Sequence, residues 1–120
     1  MGGTNYKQRE IVLVPFPFSD LSSLKRRPVL IVSNNEFNDQ YSDVLVCVIT
    51  SNLFLDSYSI KLENDDLEIG VLPESSVVKT HKLFTIEKTR IIKKFSVVKS
   101  EYFDQVKDKL EALIQKSKDS

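Results

Sequence analysis

The chain is short of the residues on which many catalytic sites are built. Its 120 residues include one cysteine, one histidine, one methionine and no tryptophan. A lone Cys47 excludes an intrachain disulfide. Its place inside an apolar run assigns it to the core rather than to nucleophilic chemistry. Cys47 and His81 stand far apart in sequence, so the clustered ligands of a zinc site are missing, and neither metal nor cofactor is expected. A two-histidine acid–base pair cannot form within this chain. The only glycines, Gly2, Gly3 and Gly70, leave no glycine-rich phosphate loop. No serine sits in a nucleophile-elbow pattern. Basic and acidic residues balance at 17 each, so the basic excess common in nucleic-acid binders is absent.

Long hydrophobic runs are missing too. None approaches the roughly 20 residues of a membrane helix. The stretch Met1 to Tyr6 has no apolar segment, so no signal peptide is expected. Tyr6 stands where a myristoylation signal needs Ser or Thr. These features lead to the expectation of a cytoplasmic protein.

What is present reads as one domain over 1–120, frayed at 1–8 and 117–120. The 41% hydrophobic and 28% charged fractions are those of an ordinary globular chain. Apolar and alternating runs predict strands over 9–16, 28–33, 43–50, 58–62, 76–79 and 83–86. A short helical turn is expected within 34–42, an acidic turn at 64–68, and a bend between the last two strands. From 95 to 98 the chain begins its last element. Ser100 is the expected N-cap of a helix, with Glu101 in its first turn. Phe103, Val106, Leu110, Leu113 and Ile114 then form one apolar stripe at helical spacing. Its polar face is too poor in cations for a membrane-surface helix. The predicted fold is therefore mainly β (α+β): a small, strongly bent antiparallel sheet or open barrel with a C-terminal amphipathic helix.

The segment Ile11 to Ser33 stands out. A strand-like run ends in Pro15-Phe16-Pro17-Phe18-Ser19-Asp20; a polar loop follows, and Lys25-Arg26-Arg27-Pro28 leads into Val29-Leu30-Ile31-Val32-Ser33. Pro28 biases Arg27 toward extended backbone. A guanidinium at the rim of a buried strand suits a phosphate, whose oxygens match its planar fork. The plainer reading is a solvated basic loop. A second apolar strand ends in Thr50-Ser51. These hydroxyls either cap the strand end or converge with Arg27 on one phosphate. Other basic residues cluster at Lys79 to Lys82, and acidic ones at Glu63 to Glu68. If the first two basic clusters share a face, a positive groove survives overall neutrality.

The blocks Ile11-Val12-Leu13-Val14-Pro15-Phe16-Pro17, Arg27-Pro28-Val29-Leu30-Ile31-Val32-Ser33, Val46-Cys47-Val48-Ile49-Thr50-Ser51 and Ser76-Val77-Val78-Lys79-Thr80-His81-Lys82-Leu83-Phe84-Thr85-Ile86 together resemble the PemK/MazF-type toxin endoribonucleases of toxin–antitoxin systems. Four blocks in order make the resemblance specific where one would not. It covers about Glu10 to Leu113. It implies an SH3-like barrel with a C-terminal helix, a homodimer, single-stranded RNA as substrate and a cognate antitoxin as partner. An acidic disordered segment that folds into the RNA groove is the kind of antitoxin expected.

RNA cleavage needs no metal when the 2′-hydroxyl attacks the adjacent phosphate and leaves a 2′,3′-cyclic phosphate and a 5′-hydroxyl. The protein must help remove a proton, stabilise the phosphorane and protonate the leaving oxygen. By motif position the resemblance implies Arg27 and Thr50 as catalytic residues, the first stabilising the phosphorane and the second bonding a non-bridging oxygen. His81 is the candidate base, since a histidine's ordinary pKa of about 6.5 lies near the working pH; its plainer role is to decorate a loop. Phe18, Lys25, Arg26, Ser51, Lys79 and Lys82 are the candidate substrate contacts, with Phe16 divided between substrate and core. Some members of the family carry Arg at the position of Lys79 and an acidic residue at that of His81. Many carry Gly-Asp where this chain has Arg9-Glu10, which puts the turn before the first strand in doubt. The rival readings are a non-catalytic barrel of the gyrase-binding type and an RNA-binding module.

Overall fold

A computed structural model of the chain describes residues 5–16 and 25–119. The longest apolar runs form the middle of a sheet: β1 (Glu10–Phe16), β2 (Lys25–Ile31) and β3 (Asp43–Thr50). β1 and β3, and β2 from Pro28 on, run apolar at nearly every position because both faces of the sheet are covered there. Ile11, Leu30, Cys47 and Ile49 point to one core; Val12, Val14, Val29, Ile31, Val44 and Val46 point to the other. Fully burying one such side chain contributes about 1.5–3 kcal/mol.

A short helix, α1 (Asn35–Gln40), joins β2 to β3. The Asn34 side chain caps it by accepting from the Phe37 N–H at 2.9 Å. After β3 come β4 (Ser59–Leu62), β5 (Leu67–Ile69), β6 (Ser76–Glu87), β7 (Lys93–Val98) and α2 (Ser100–Leu113). The strands make one curled antiparallel sheet, half of a barrel, in the order β4-β6-β3-β2-β1-β7-β5. This agrees with the mainly β fold expected, and α1 and α2 are its two helices among the described residues.

The helix α2 closes one face. Tyr102, Phe103 and Val106 are its buried residues, and the Tyr102 hydroxyl donates to the Ile60 carbonyl at 3.3 Å. Burial, reinforced by the Asp66 charge, raises the Tyr102 pKa well above its ordinary value. Two expectations change here. The N-cap is Lys99, with no side-chain cap bond, and Ser100 is the first helical residue. Ile114 is the C-cap and is 80% exposed, so the part of the stripe that packs on the core is Phe103, Val106 and Leu110.

Strand limits shift as well. β2 starts at Lys25, before the apolar run, because its pairing with β1 is backbone pairing that carries on to Phe16↔Lys25. Leu67 and Glu68, expected within an acidic turn, instead begin a strand, Leu67–Ile69, that buries only Leu67 and pairs with β7. Of the stretch 1–8 expected to fray, residues 6–8 are held, and 1–4 lie outside the described residues. Tyr6 is buried, and the Gln8 side chain donates to the Val32 carbonyl at 2.8 Å. The turn before β1 is left-handed at Arg9, whose φ is 81°. The Arg9 guanidinium secures that turn by donating to the Val98 carbonyl at 2.9 Å and to Glu68 at 3.2 Å. Glu10 is mostly buried, accepting from the Lys7 N–H at 2.8 Å and pairing with Lys94 at 3.3 Å.

Candidate functional site

The site begins where regular pairing stops. β2 and β3 pair over Val29↔Val48, Leu30↔Cys47 and Ile31↔Val46. Continuing that register two residues on each strand sets Arg27 opposite Thr50, on the same face. Pro28, which follows Arg27, has no N–H to offer a ladder. Thr50 is half-buried, and its hydroxyl oxygen accepts from the Asn52 N–H at 3.1 Å. A hydroxyl that accepts this way still has its hydrogen to donate to an anion.

β6 supplies the other wall through a bulge. Cys47 pairs with Leu83, but the next β3 residue, Val48, pairs with Lys79. Thr80, His81 and Lys82 are thereby pushed out of register with β3. Thr80 anchors the bulge, since its N–H and its hydroxyl donate to the Tyr58 carbonyl at 3.0 and 2.7 Å. With Thr80 buried, His81 and Lys82 stand exposed. This bulge is the bend expected before Leu83, and β6 runs through it as one strand.

Arg27, Thr50, Lys79, His81 and Lys82 line one groove of about 470 Å³, together with Asn52, Phe54 and Asp56 from the loop after β3. Lys25, Arg26 and Ser51 line an adjoining groove of about 580 Å³, and Arg27 borders both. Phe18 and the rest of 17–24 lie outside the described residues, as does the Phe16 side chain.

Sequence reasoning passed over the residues of the loop after β3. They show no periodicity, because side-chain-to-backbone bonds build the loop. Asn52 Oδ1 accepts from the Phe54 N–H at 3.1 Å. Asp56 accepts from the Ser59 hydroxyl at 2.7 Å and the Tyr58 N–H at 3.0 Å. Lys79 Nζ donates to the Phe54 carbonyl at 3.0 Å and to Asp56 at 3.4 Å. The Ser59 hydroxyl, then the Tyr58 N–H, then Lys79 hold the Asp56 carboxyl down to about 2. The available clue was Leu53-Phe54-Leu55, an apolar triplet flanked by loop formers, all of it exposed.

Cys47 faces the core, and burial pushes its thiol up to about 12. That is the state of a packing residue, not a nucleophile. Asp66 accepts from the Glu63 N–H at 2.8 Å and Glu68 pairs with Arg9, so these members of the acidic turn serve local structure. Among the described residues, no three His, Cys, Asp or Glu side chains converge as metal ligands do, and no helix is long and apolar enough to cross a membrane.

A family model describing the PemK-like, MazF-like toxins of type II toxin–antitoxin systems matches residues 7–114. The chain belongs to this family. Comparison with curated proteins finds no match. Among solved structures, an endoribonuclease from a Mycobacterial species is 18% identical, with 91% of this chain and 90% of that one covered and a TM-score of 0.72. An endoribonuclease in complex with its cognate antitoxin, also Mycobacterial, is 19% identical over 89% of this chain and 92% of that one, at a TM-score of 0.72. A MazE–MazF complex from Deinococcus radiodurans is 19% identical over 95% of this chain and all, 100%, of that one, at a TM-score of 0.76. At such identities the likeness is one of fold. Within this MazF-like fold, the groove between β2, β3 and the β6 bulge is the strongest candidate for a site.

Proposed function

We propose that this chain is a sequence-specific, metal-independent endoribonuclease toxin that cleaves single-stranded RNA to 2′,3′-cyclic phosphate and 5′-hydroxyl ends. The observation that carries the reading is that Arg27 and Thr50 line one groove beyond the end of the β2–β3 register, with His81 and Lys82 on the same groove. A phosphate seated there meets a guanidinium on one side and a hydroxyl on the other. The groove carries Arg27, Lys79 and Lys82 against one carboxylate, Asp56, so it is locally positive in a chain of zero net charge.

In the proposed chemistry, Arg27 stabilises charge on the phosphorane and Thr50 donates to a non-bridging oxygen. His81, on the exposed crest of the bulge, takes the 2′ proton; the bond from the 2′-oxygen to phosphorus forms as that to the 5′-oxygen breaks, and the departing 5′-oxygen takes its proton from solvent water. Lys82, with Lys25, Arg26 and Ser51 in the adjoining groove, holds the flanking backbone. Unpaired bases can be splayed and read at their edges, which is why single strands suit such a groove. The complexed relatives support a cognate antitoxin as partner. A homodimer acting in the cytoplasm on messenger RNA, with the chain as one domain, completes the proposal.

The test is incubation of wild type and Arg27→Ala with a long single-stranded RNA in EDTA, followed by mapping of ends. Discrete cuts with cyclic phosphate and 5′-hydroxyl ends, lost in the variant, are expected. No cutting by folded wild type, or equal cutting by the variant, overturns the proposal.

A further inference from the structure

The loop after β3 carries a feature that the phosphate chemistry leaves unused. Phe54 is 68% exposed, yet its backbone is pinned on both sides. Its N–H donates to Asn52 Oδ1 at 3.1 Å and its carbonyl accepts from Lys79 Nζ at 3.0 Å. The Lys79 ammonium also lies over the ring, 5.5 Å from its centre. Lys79 is in turn steadied by Asp56, and its own side chain is only 11% exposed. The Asn52 that holds Phe54 bonds Thr50 through its N–H. Two successive hydrogen bonds thus link the candidate phosphate-binding hydroxyl to the backbone of an aromatic residue on the wall of the same groove.

Leaving a phenyl ring in water sacrifices the favourable free energy of burying it. A fixed, exposed ring beside a positive groove has the properties of a stacking platform for nucleic acid. Every base has a π-face, and an aromatic–base stack needs no particular hydrogen-bond pattern. We infer that Phe54 is a base-stacking residue for the nucleotide flanking the bound phosphate, with Lys79 as the positioning residue that holds it. The occupant is a nucleobase rather than an apolar peptide because the surrounding charge is cationic, from Arg27, Lys82 and Lys79. The inference rests on the ribonuclease reading for the identity of the ligand. It changes the role expected of Lys79, whose ammonium is engaged with the loop and not turned to a phosphate.

The test uses single-stranded 2′-O-methyl RNAs carrying 2-aminopurine at successive positions. These lack the nucleophile, so binding is measured without cleavage. Wild type is expected to quench the fluorophore at one or two positions. Phe54→Ala and Phe54→Leu are expected to lose the quenching and bind roughly ten-fold more weakly, whereas Phe54→Trp retains both. On cleavable RNA the same loss falls on KM and leaves kcat nearly unchanged. Lys79→Met follows Phe54→Ala in both readouts, and Lys79→Arg restores part of the quenching. Wild-type quenching and KM in Phe54→Ala overturn the inference while leaving the ribonuclease reading intact. So does a Phe54→Ala variant that has lost only antitoxin binding, which assigns the ring to a peptide. Phe54-dependent quenching without cleavage of ordinary RNA supports the platform and removes the catalytic reading. Failure of folded wild type to bind any of these RNAs overturns both.

Discussion

The two ends of β3 are made of similar residues and do different things. From Val44 to Cys47 the strand keeps one unbroken register with β6, from Ile86 to Leu83, and Val44, Val46 and Cys47 are wholly buried. From Val48 to Thr50 its β6 partner has jumped across the bulge to Lys79, Val78 and Val77, and its pairing with β2 ends at Val29↔Val48. The first end is core; at the second, Ile49 stays in the core while Val48 and Thr50 are only half-buried and line the groove. Pairing on both sides directs side chains into a neighbour, whereas pairing that stops on one side opens alternate side chains to a groove with their positions still fixed. If that contrast is right, stability and activity are separable over a few residues of one strand pair.

The strongest way to break the contrast is at Leu30, three positions from Arg27 and fully buried opposite Cys47. Leu30→Ala is expected to cost about 2–5 kcal/mol of stability, read as a lower denaturant midpoint. Activity per folded molecule should stay near wild type. Loss of activity in the folded fraction would mean that core and groove are not independent. Arg27→Ala is the converse. It is expected to lower kcat/KM by about 10²–10³, as removal of one donor to a developing oxyanion does, with stability unchanged within about 0.5 kcal/mol. A large loss of stability with a small loss of rate would make Arg27 a structural residue.

A pH series and one substitution separate the loop from the bulge. The Asp56 pKa is lowered to about 2 from the ordinary 3.8. A lowered carboxylate pKa contributes stability that is complete above the unfolded value and lost as pH falls through the folded one. The loop bonds of Asp56 therefore hold from neutrality down to about pH 4 and fail between about pH 4 and 2. Amide protection at Tyr58 and Ser59 should be flat from pH 5 to 8. On the bulge, His81→Asn is expected to lower kcat by about 10²–10⁴, as loss of a general base does, while leaving that protection unchanged. A wild-type kcat in the variant removes His81 as the base.

How far the sequence could be read follows the same division. β1 and β3 were legible because continuous apolar runs have few other uses, and β3 begins and ends where its composition changes. Arg27 and Thr50 could be singled out because a charge and a hydroxyl stand at the ends of such runs, Lys82 because it lies in a basic cluster, and His81 through the resemblance to the PemK/MazF family. The loop's role was not legible. Asn52 and Asp56 act through single bonds to nearby backbone, which leave no repeat in composition. The bulge was visible only as a bend, since a register slip depends on β3 and on Tyr58 as much as on β6 itself. Leu67–Ile69 was hidden because one inward leucine among acids carries no alternation.

Arg9 offers the finest test, because it sets strain against bonding in one residue. A left-handed non-glycine residue costs about 1–2 kcal/mol, and Arg9 sits at φ 81°. Its backbone is held there by bonds to Ile31 and from Val98 at 3.0 and 2.9 Å. Its guanidinium offsets part of the strain through the Val98 carbonyl, a bond of about 0.5–1.5 kcal/mol. The half-exposed pair with Glu68 adds little. Arg9→Ala keeps the strain and deletes the bonds, so it should destabilise by about 1 kcal/mol. Arg9→Gly deletes the same bonds but removes the strain, so it should fall within about 0.5 kcal/mol of wild type. Equal losses in the two variants, by chemical denaturation, would show that the left-handed turn carries no strain and that the arginine acts through its side chain alone.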